Sequence, residues 1–155
     1  MKKLYFLCGV QGSGKTTYAR SNKELLNAEI ISTDRIRIEY APIEEHQVFP
    51  KAYQLIKENL QHKNVIFDAT NITRDARKEN IENIFKLVNK DEIELICICL
   101  IVDKEICKTR VSKRNELDGE IYLPLEVIDN YCERFELPSI DEGFKEILMI
   151  KNYTI

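Results

Sequence analysis

The sequence predicts an α/β fold in which a mostly parallel sheet of about five strands is flanked by helices. Short apolar runs alternate with segments of helical spacing along the whole chain, and this alternation is typical of a parallel sheet covered by helices on both faces. A glycine-rich segment follows the first apolar run. The chain has 155 residues, 44% of them hydrophobic, which is enough for one domain with a substantial core. We therefore predict a single domain over residues 1–155.

The strands are predicted from continuous apolar runs, as expected for strands that are buried on both faces. Four runs are clear and a fifth is weaker: 2–8, 29–33, 64–67, 93–102 and, more weakly, 146–150. Helices are predicted between the strands from apolar stripes with helical spacing. These stripes are Ala52, Ile56 and Leu60, then Ile81, Ile84, Phe85 and Val88, and finally a helix that opens at Pro124.

Composition and charge narrow the classes of function. The net charge of −3 does not fit a protein that binds nucleic acid through a generally basic surface. Five cysteines without a CxxC pair indicate reduced core thiols and a cytoplasmic location. His46 and His62 have no metal-ligand partner at useful spacing, which argues against zinc. We expect neither a signal peptide nor a membrane partner, since no apolar stretch reaches the roughly 18–20 residues of a membrane span.

The most informative segment is GVQGSGKT at residues 9–16, which matches the pattern G-x-x-x-x-G-K-[ST]. Glycines let backbone N–H groups point at phosphate oxygens, and the following helix presents its positive N-terminus to the same phosphates. The lysine reaches the β- and γ-phosphates, and the hydroxyl that follows it binds Mg²⁺. The sequence therefore predicts a nucleotide and Mg²⁺ bound by Gly9, Gln11, Gly12, Ser13, Gly14, Lys15, Thr16 and Thr17.

Three apolar runs end in an aspartate, at Asp34, Asp68 and Asp103, and ligands of open α/β sheets bind at the carboxyl ends of the strands. Arg37 follows Asp34 by one helical turn. The pair could take a proton from an acceptor hydroxyl and bind an acceptor phosphate. The alternatives are a helix N-cap for Asp34 and a solvated helix face for Arg37.

Asp68 has several candidate roles: it could hold Mg²⁺, orient Arg37 or the acceptor, or cap a helix. Asn71 or Thr73 is expected to cap the helix that follows Asp68. Asp103 is expected to begin the next helix and has no predicted catalytic role.

A basic segment follows Asp103. Arg110 and Arg114 lie four residues apart and share a helix face. Basic groups on a mobile segment could close over the nucleotide and stabilise charge on the transferring phosphoryl group. The alternative is a solvated face with surface ion pairs. We predict a lid over residues 108–122.

Together these segments resemble the polynucleotide kinase-like branch of P-loop kinases, over nearly the whole chain. The resemblance runs through residues 9–17, 32–37, 68–71, 110–114, 135–138 and 141–144. It implies a P-loop kinase fold with a helical lid, and ATP and Mg²⁺ as cofactors. The stretch 135–144 is expected to pack the last helix and strand against the core.

The resemblance also implies roles for individual residues. Lys15, Asp34 and Arg114 would be catalytic, with Asp34 the general base for a 5′-hydroxyl. Arg37 would bind the acceptor's 3′-phosphate. The remaining roles are Mg²⁺ binding by Thr16 and Asp68, acceptor binding by Asp68 and Asn71, and donor-phosphate binding by Arg110 and Arg114.

Three hypotheses of function remain open from the sequence. The first is an ATP- and Mg²⁺-dependent kinase with a nucleotide donor and a 5′-hydroxyl of RNA, DNA or a nucleotide as acceptor. The second keeps the kinase but takes a small hydroxylated metabolite, an antibiotic or a nucleotide sugar. The net charge of −3 favours it mildly, since a long polyanion would favour a basic channel. The third is a nucleotide-dependent switch ATPase without an acceptor. The sequence gives no oligomeric state.

Overall fold

The computed structural model describes residues 1–154, which form a five-stranded sheet with all strands parallel, in the order β2-β3-β1-β4-β5. The strands are β1 (Lys2–Cys8), β2 (Ala28–Ser32), β3 (Asn64–Asp68), β4 (Ile93–Ile101) and β5 (Glu146–Lys151). The α/β prediction is confirmed, and each predicted strand boundary lies within about one residue of the observed one.

Six α-helices connect and flank the strands. They are α1 (Lys15–Asn22), α2 (Thr33–Glu39), α3 (Glu45–Leu60), α4 (Arg74–Ile84), α5 (Lys104–Asn115) and α6 (Glu126–Arg134). The helix predicted to open at Pro124 begins two residues later. Short 3₁₀ turns occur at Lys90–Glu92 and Ile140–Glu142.

Side-chain caps set the beginnings of three of these helices. The hydroxyl of Ser32 accepts from the backbone N–H of Arg35 at the start of α2. Thr73 caps α4 and Asp103 caps α5 in the same manner, as predicted for both. Ser32 rather than Asp34 therefore caps α2, so the Asp34 carboxylate is not used as the N-cap.

The two faces of the sheet bury separate apolar clusters. One contains Phe6, whose ring packs edge-on against Phe67 at 5.3 Å and against Phe144 at 6.0 Å between centroids. The other contains Tyr5, Leu7, Ala19, Ile66 and Ile98. Burial on both faces explains why β1, β3 and β4 read as continuous apolar runs. Strand β5 lies at the edge of the sheet and is largely exposed, which explains its weaker run.

A third cluster packs α5 and α6 beside the loop after β1. It contains Val10, Val102, Cys107, Val111 and Ile128. All five cysteines are free thiols, four of them buried, and burial raises the pKa of Cys107 to about 11. The cluster therefore packs α5 against the glycine-rich loop.

Among residues 1–154, no helix combines the length and the hydropathy that crossing a membrane requires.

Candidate functional site

The loop between β1 and α1 is shaped by glycines whose neighbours leave no room for a side chain. A Cβ on Gly12 would lie 2.5 Å from the carbonyl oxygen of Cys107, and the residue has a φ of +82°. A Cβ on Gly9 would lie 2.6 Å from Ser13 Oγ and 3.0 Å from the Leu100 carbonyl oxygen. Only glycine is accommodated at these positions without strain, so the strand ends and α5 fix the path of the loop.

The loop and α1 present polar groups that have no partner within residues 1–154. No side chain caps α1, so the first backbone N–H groups of this helix are open to a ligand. Ser13 Oγ is fully buried and makes no hydrogen bond. The Nζ of Lys15 lies 3.5 Å from the Val10 carbonyl oxygen. A buried unpaired hydroxyl, a lysine and an uncapped helix N-terminus together fit a polyphosphate.

Thr16 and Asp68 meet at the carboxyl edge of the sheet. The Thr16 hydroxyl donates to Asp68 Oδ2 at 2.8 Å, and Asp68 is only 4% exposed at the end of β3. Among the described residues, Asp68 makes no hydrogen bond to Arg37; its roles toward Mg²⁺ and the acceptor stay predictions. Residues 1–154 contain no cluster of three His, Cys, Asp or Glu side chains suited to a metal. The two oxygens suit Mg²⁺, which takes its remaining ligands from substrate phosphates and water.

Asp34 and Arg37 lie on α2, beside the Thr16–Asp68 pair. Arg37 Nη1 donates to Asp34 Oδ1 at 2.8 Å. The other edge of the Arg37 guanidinium binds Glu45, with Nε 3.0 Å from Oε2 and Nη2 2.6 Å from Oε1. The hydrogen bond from Arg37 lowers the pKa of the Glu45 carboxyl, and the same bond raises the pKa of Arg37. Arg37 therefore does not lie on a freely solvated face, and two carboxylates surround it.

Glu45 is a residue that the sequence analysis missed. It is the first residue of α3, eight positions after Arg37. A glutamate at the start of a helix is ordinarily explained by the helix dipole, and no motif marks it. Only the fold of the turn between α2 and α3 brings it to Arg37.

The predicted residues come together around one cleft. A cavity of about 520 Å³ is lined by residues from both the donor and the acceptor sets, including Lys15, Thr16, Asp34, Arg37, Asp68 and Arg114. An adjoining cavity of about 280 Å³ continues along the glycine-rich loop, with Gly12, Gly14, Lys15, Thr17, Arg110 and Arg114 in its wall. The carboxyl edge of the sheet thus holds a continuous two-part cleft, as an open α/β sheet leads one to expect.

The two lid arginines differ in their contacts. Arg110 donates to the Gly12 carbonyl oxygen at 3.1 Å and to the Tyr153 carbonyl oxygen at 2.8 Å. It therefore ties the loop to the chain after β5, and its contact with a donor phosphate stays a prediction. Arg114 lines both cavities, and no hydrogen bond or ion pair joins its side chain to another described residue. Arg114 is the arginine that remains available to a nucleotide.

Two other basic residues of α5 match the alternative explanation by surface ion pairs. Lys104 and Lys108 pair with Asp129 of α6 at 3.2 and 2.8 Å. These contacts join α5 to α6 outside the cleft. Arg114, in the carboxyl-terminal turn of α5, lines the cleft instead.

The predicted contact of Asn71 with the acceptor is not supported. Asn71 is 3% exposed, its Nδ2 donates to the Leu7 carbonyl oxygen at 3.0 Å, and its Oδ1 accepts from Asn80 at 2.7 Å. Its φ of +47° lies in the left-handed region, which asparagine adopts more readily than most residues. Asn71 therefore holds the loop after β3 against β1.

Arg77 is a second residue that the sequence analysis missed. Its side chain is fully buried, and its guanidinium binds Glu142 at 2.7 Å and the Asn71 carbonyl oxygen at 2.8 Å. It also lies 3.7 Å from the thiol of Cys8, directly before the glycine-rich loop. Arg77 thus joins the end of β1, just before the glycine-rich loop, to the stretch 135–144, which packs against the core as predicted.

The predicted lid, residues 108–122, corresponds to the end of α5 and the loop before α6. The Asn115 side chain closes this loop, donating to the Leu123 carbonyl oxygen at 2.8 Å and accepting from its N–H at 2.9 Å. Leu117 and Tyr122 within the loop are exposed, and Glu120 lines the cleft. Hydrogen bonds between Asn115 and Leu123 therefore join the two ends of the loop, while side chains between them are exposed.

Comparisons with known proteins agree with this architecture. The sequence profile described as AAA domain matches residues 4–138. The bifunctional polynucleotide phosphatase/kinase of Schizosaccharomyces pombe is 25% identical over 146 residues, or 94% of this chain and 33% of that protein. This chain thus spans about a third of that relative's length.

Solved structures show the same fold at lower identity. A chain of the Pnkp1/Rnl/Hen1 RNA repair complex has a TM-score of 0.68 and 23% identity, over 86% of this chain and 43% of that one. A gluconokinase from Sinorhizobium meliloti has a TM-score of 0.60 and 17% identity, over 99% of this chain and 84% of that one. One fold is thus found in proteins whose names refer to RNA repair and to gluconate.

Proposed function

The chain belongs to the AAA domain family of P-loop kinases, and on that premise we propose that it is an ATP- and Mg²⁺-dependent phosphotransferase acting on the 5′-hydroxyl of RNA, DNA or a nucleotide. The main support is one cleft lined both by Lys15 and Thr16 and by Asp34 and Arg37. A phosphate-binding half and a proton-accepting half at one site are what phosphoryl transfer to an alcohol requires.

The donor half of this proposal assigns ATP to the glycine-rich loop. The loop N–H groups, the N-terminus of α1 and Lys15 would hold the phosphates. Thr16 and Asp68 would hold Mg²⁺, which supplies positive charge to the phosphate oxygens when it is bound. Arg114, which is unpaired among the described residues, would stabilise charge on the transferring group.

The acceptor half assigns the proton of the attacking hydroxyl to the Asp34 carboxylate. Ser32 caps α2, so Asp34 is available for this task. Arg37 orients Asp34 through the 2.8 Å contact and would bind an acceptor phosphate through Nε and Nη2, the nitrogens that Glu45 contacts. The positions of both residues are fixed by the end of β2, where α2 begins.

A small hydroxylated acceptor is the second candidate, and the charge around Arg37 favours it. Asp34 and Glu45 both bind this single arginine, so the acceptor side has a surplus of carboxylates, which hydrogen-bond well to hydroxyl groups. The fold shared with a gluconokinase agrees with this candidate.

Transfer of label from γ-labelled ATP with Mg²⁺ tests the proposal. We expect label on 5′-hydroxyl oligonucleotides or on 3′-mononucleotides, but not on 5′-phosphorylated controls. Polynucleotide affinity should fall steeply with salt, whereas a small acceptor should show a shallow dependence. ATP turnover with label on none of these acceptors would contradict the 5′-hydroxyl assignment and direct the search to sugar acids and polyols. Turnover that needs a protein partner and yields no labelled product would point to a switch ATPase.

A further inference from the structure

Glu45 binds the part of Arg37 that an acceptor phosphate would use. It accepts from Nε at 3.0 Å and from Nη2 at 2.6 Å. A guanidinium binds carboxylates and phosphates through the same parallel pair of N–H groups. Glu45 and an acceptor phosphate therefore compete for the same two donors.

The opposite side of Arg37 offers no alternative. Nη1 donates to Asp34 at 2.8 Å, so each nitrogen of the guanidinium has a carboxylate partner. A phosphate can bind the Arg37 guanidinium in a bidentate manner only if one of the two carboxylates leaves it. Glu45 is the more exposed of the two, with 70% of its side chain accessible against 59% for Asp34. It also lies on a different helix from Arg37, so its departure leaves α2 unchanged.

The structure contains space into which the Glu45 carboxylate can move. Glu45 lies in the wall between the cleft and a groove of about 680 Å³ between α3 and α4. Phe49, Ala69 and Thr70 belong to the same shared wall. A carboxylate that leaves Arg37 for this groove stays at the first turn of α3, where the helix dipole favours negative charge.

We propose that Glu45 is a specificity-determining residue that occupies the acceptor-phosphate position on Arg37 and has to be exchanged for the phosphate of an incoming acceptor. This inference rests on the proposed function, and it deepens the account of the acceptor site. Acceptors with a phosphate beside the reactive nucleoside bind only by breaking the Arg37–Glu45 pair. Acceptors without that phosphate leave the pair intact, so Glu45 narrows the preference between the two classes.

The test compares adenosine 3′-monophosphate with adenosine, which differ only in the phosphate. Label transfer from ATP gives kcat and KM for both, and calorimetry without ATP gives the Kd of adenosine 3′-monophosphate. The variants are E45Q and a control, E82Q, which removes an exposed glutamate from the Lys78–Glu82 pair on α4. We expect E45Q to lower KM and Kd for the phosphorylated acceptor about tenfold, as loss of a charge-assisted competitor implies. The KM for adenosine, both kcat values and all values for E82Q should stay within about twofold.

Three outcomes would overturn the inference. A higher KM and Kd for adenosine 3′-monophosphate in E45Q would show that Glu45 orients Arg37 for the acceptor rather than competing with it. Unchanged constants would show that the pair does not oppose binding. An equal change for adenosine would show an effect unrelated to the phosphate. If the wild type labels neither acceptor, the 5′-hydroxyl assignment fails, and the calorimetric comparison still decides the role of Glu45.

Discussion

The proposed donor and acceptor halves of the cleft are built from different parts of the molecule. The donor half consists of a glycine-rich loop and Asp68, held by the buried strands β1 and β3, with a backbone path that admits no Cβ at Gly12. The acceptor half consists of Asp34, Arg37 and Glu45, charged side chains on the exposed parts of α2 and α3. The donor site is thus determined by the fold, whereas the acceptor site is determined by a few surface side chains that can change without altering it.

The strongest test of the donor half is Lys15→Met, which removes the charge that faces the phosphates. We expect label transfer to fall by about 10³-fold or more, since a positioned charge at the transferring group contributes on this scale. Among residues 1–154, the only polar contact of the Lys15 ammonium is the 3.5 Å approach to the Val10 carbonyl oxygen, so the unfolding midpoint should not change. Lys104→Met, on the ion-paired side of α5, serves as the control and should keep near-wild-type turnover. A K15M variant with turnover close to wild type would remove the phosphate assignment.

Asp68→Asn tests whether the Thr16–Asp68 pair holds Mg²⁺. Asparagine can still accept the hydrogen bond from Thr16, but it lacks the charge that attracts a cation. We expect the Mg²⁺ concentration at half-maximal activity to rise about 10- to 100-fold, the usual scale for weakened metal sites. A titration of activity with Mg²⁺ measures this shift. An unchanged half-saturation, with only a lower maximal rate, would place Asp68 on the acceptor side instead.

Arg77→Met probes the scaffold beneath the donor half. Arg77 and Glu142 are both nearly inaccessible and form an ion pair at 2.7 Å, and removing one partner of a buried pair leaves the other uncompensated. We expect the free energy of unfolding to fall by about 3 kcal/mol or more in urea denaturation. Arg35→Met breaks the exposed Arg35–Glu39 pair and should change stability by about 0.5 kcal/mol at most. Similar small losses in both variants would contradict the scaffold role.

Asp141→Asn gives the smallest expected effect and concerns acid stability. Hydrogen bonds from Arg74 and Ser139 lower the pKa of the Asp141 carboxyl to about 2. Because the folded-state pKa lies below the unfolded value of about 4, this stabilisation is complete above pH 4 and is lost as the pH falls towards 2. Stability curves against pH should therefore show a shallower decline for D141N than for the wild type in that window. Parallel curves would indicate that the Arg74 contact contributes nothing in solution.

The contrast between the buried donor half and the exposed acceptor half also explains what could be predicted from the sequence. The strands β1, β3 and β4 are buried on both faces, so their apolar runs mark them directly. The residues of the glycine-rich loop were identifiable because phosphate binding requires those residue types at that spacing. Strand burial and phosphate binding each constrain the residue types within one short segment, so both can be recognised in the sequence.

The contacts that the structure does not show, and the residues that were missed, have a different physical origin. The resemblance implied a substrate contact for Asn71, but in the structure its amide hydrogen-bonds to Leu7 and Asn80. Arg110 shares a face with Arg114, yet backbone carbonyls occupy it. Glu45 and Arg77 were missed because a charged residue on a helix is ordinarily solvated. The turn between α2 and α3 brings Glu45 to Arg37. Arg77 meets Glu142, which lies 65 residues later in the chain.

The most direct test of the account is Asp34→Asn, measured for label transfer and for ATP binding in parallel. If Asp34 accepts the proton of the acceptor hydroxyl, transfer should fall by about 10²- to 10⁴-fold. The Kd for ATP should stay within about twofold, because the phosphate loop is unchanged. Transfer by D34N within a fewfold of the wild-type rate would contradict the assignment of this cleft as a site of acceptor deprotonation.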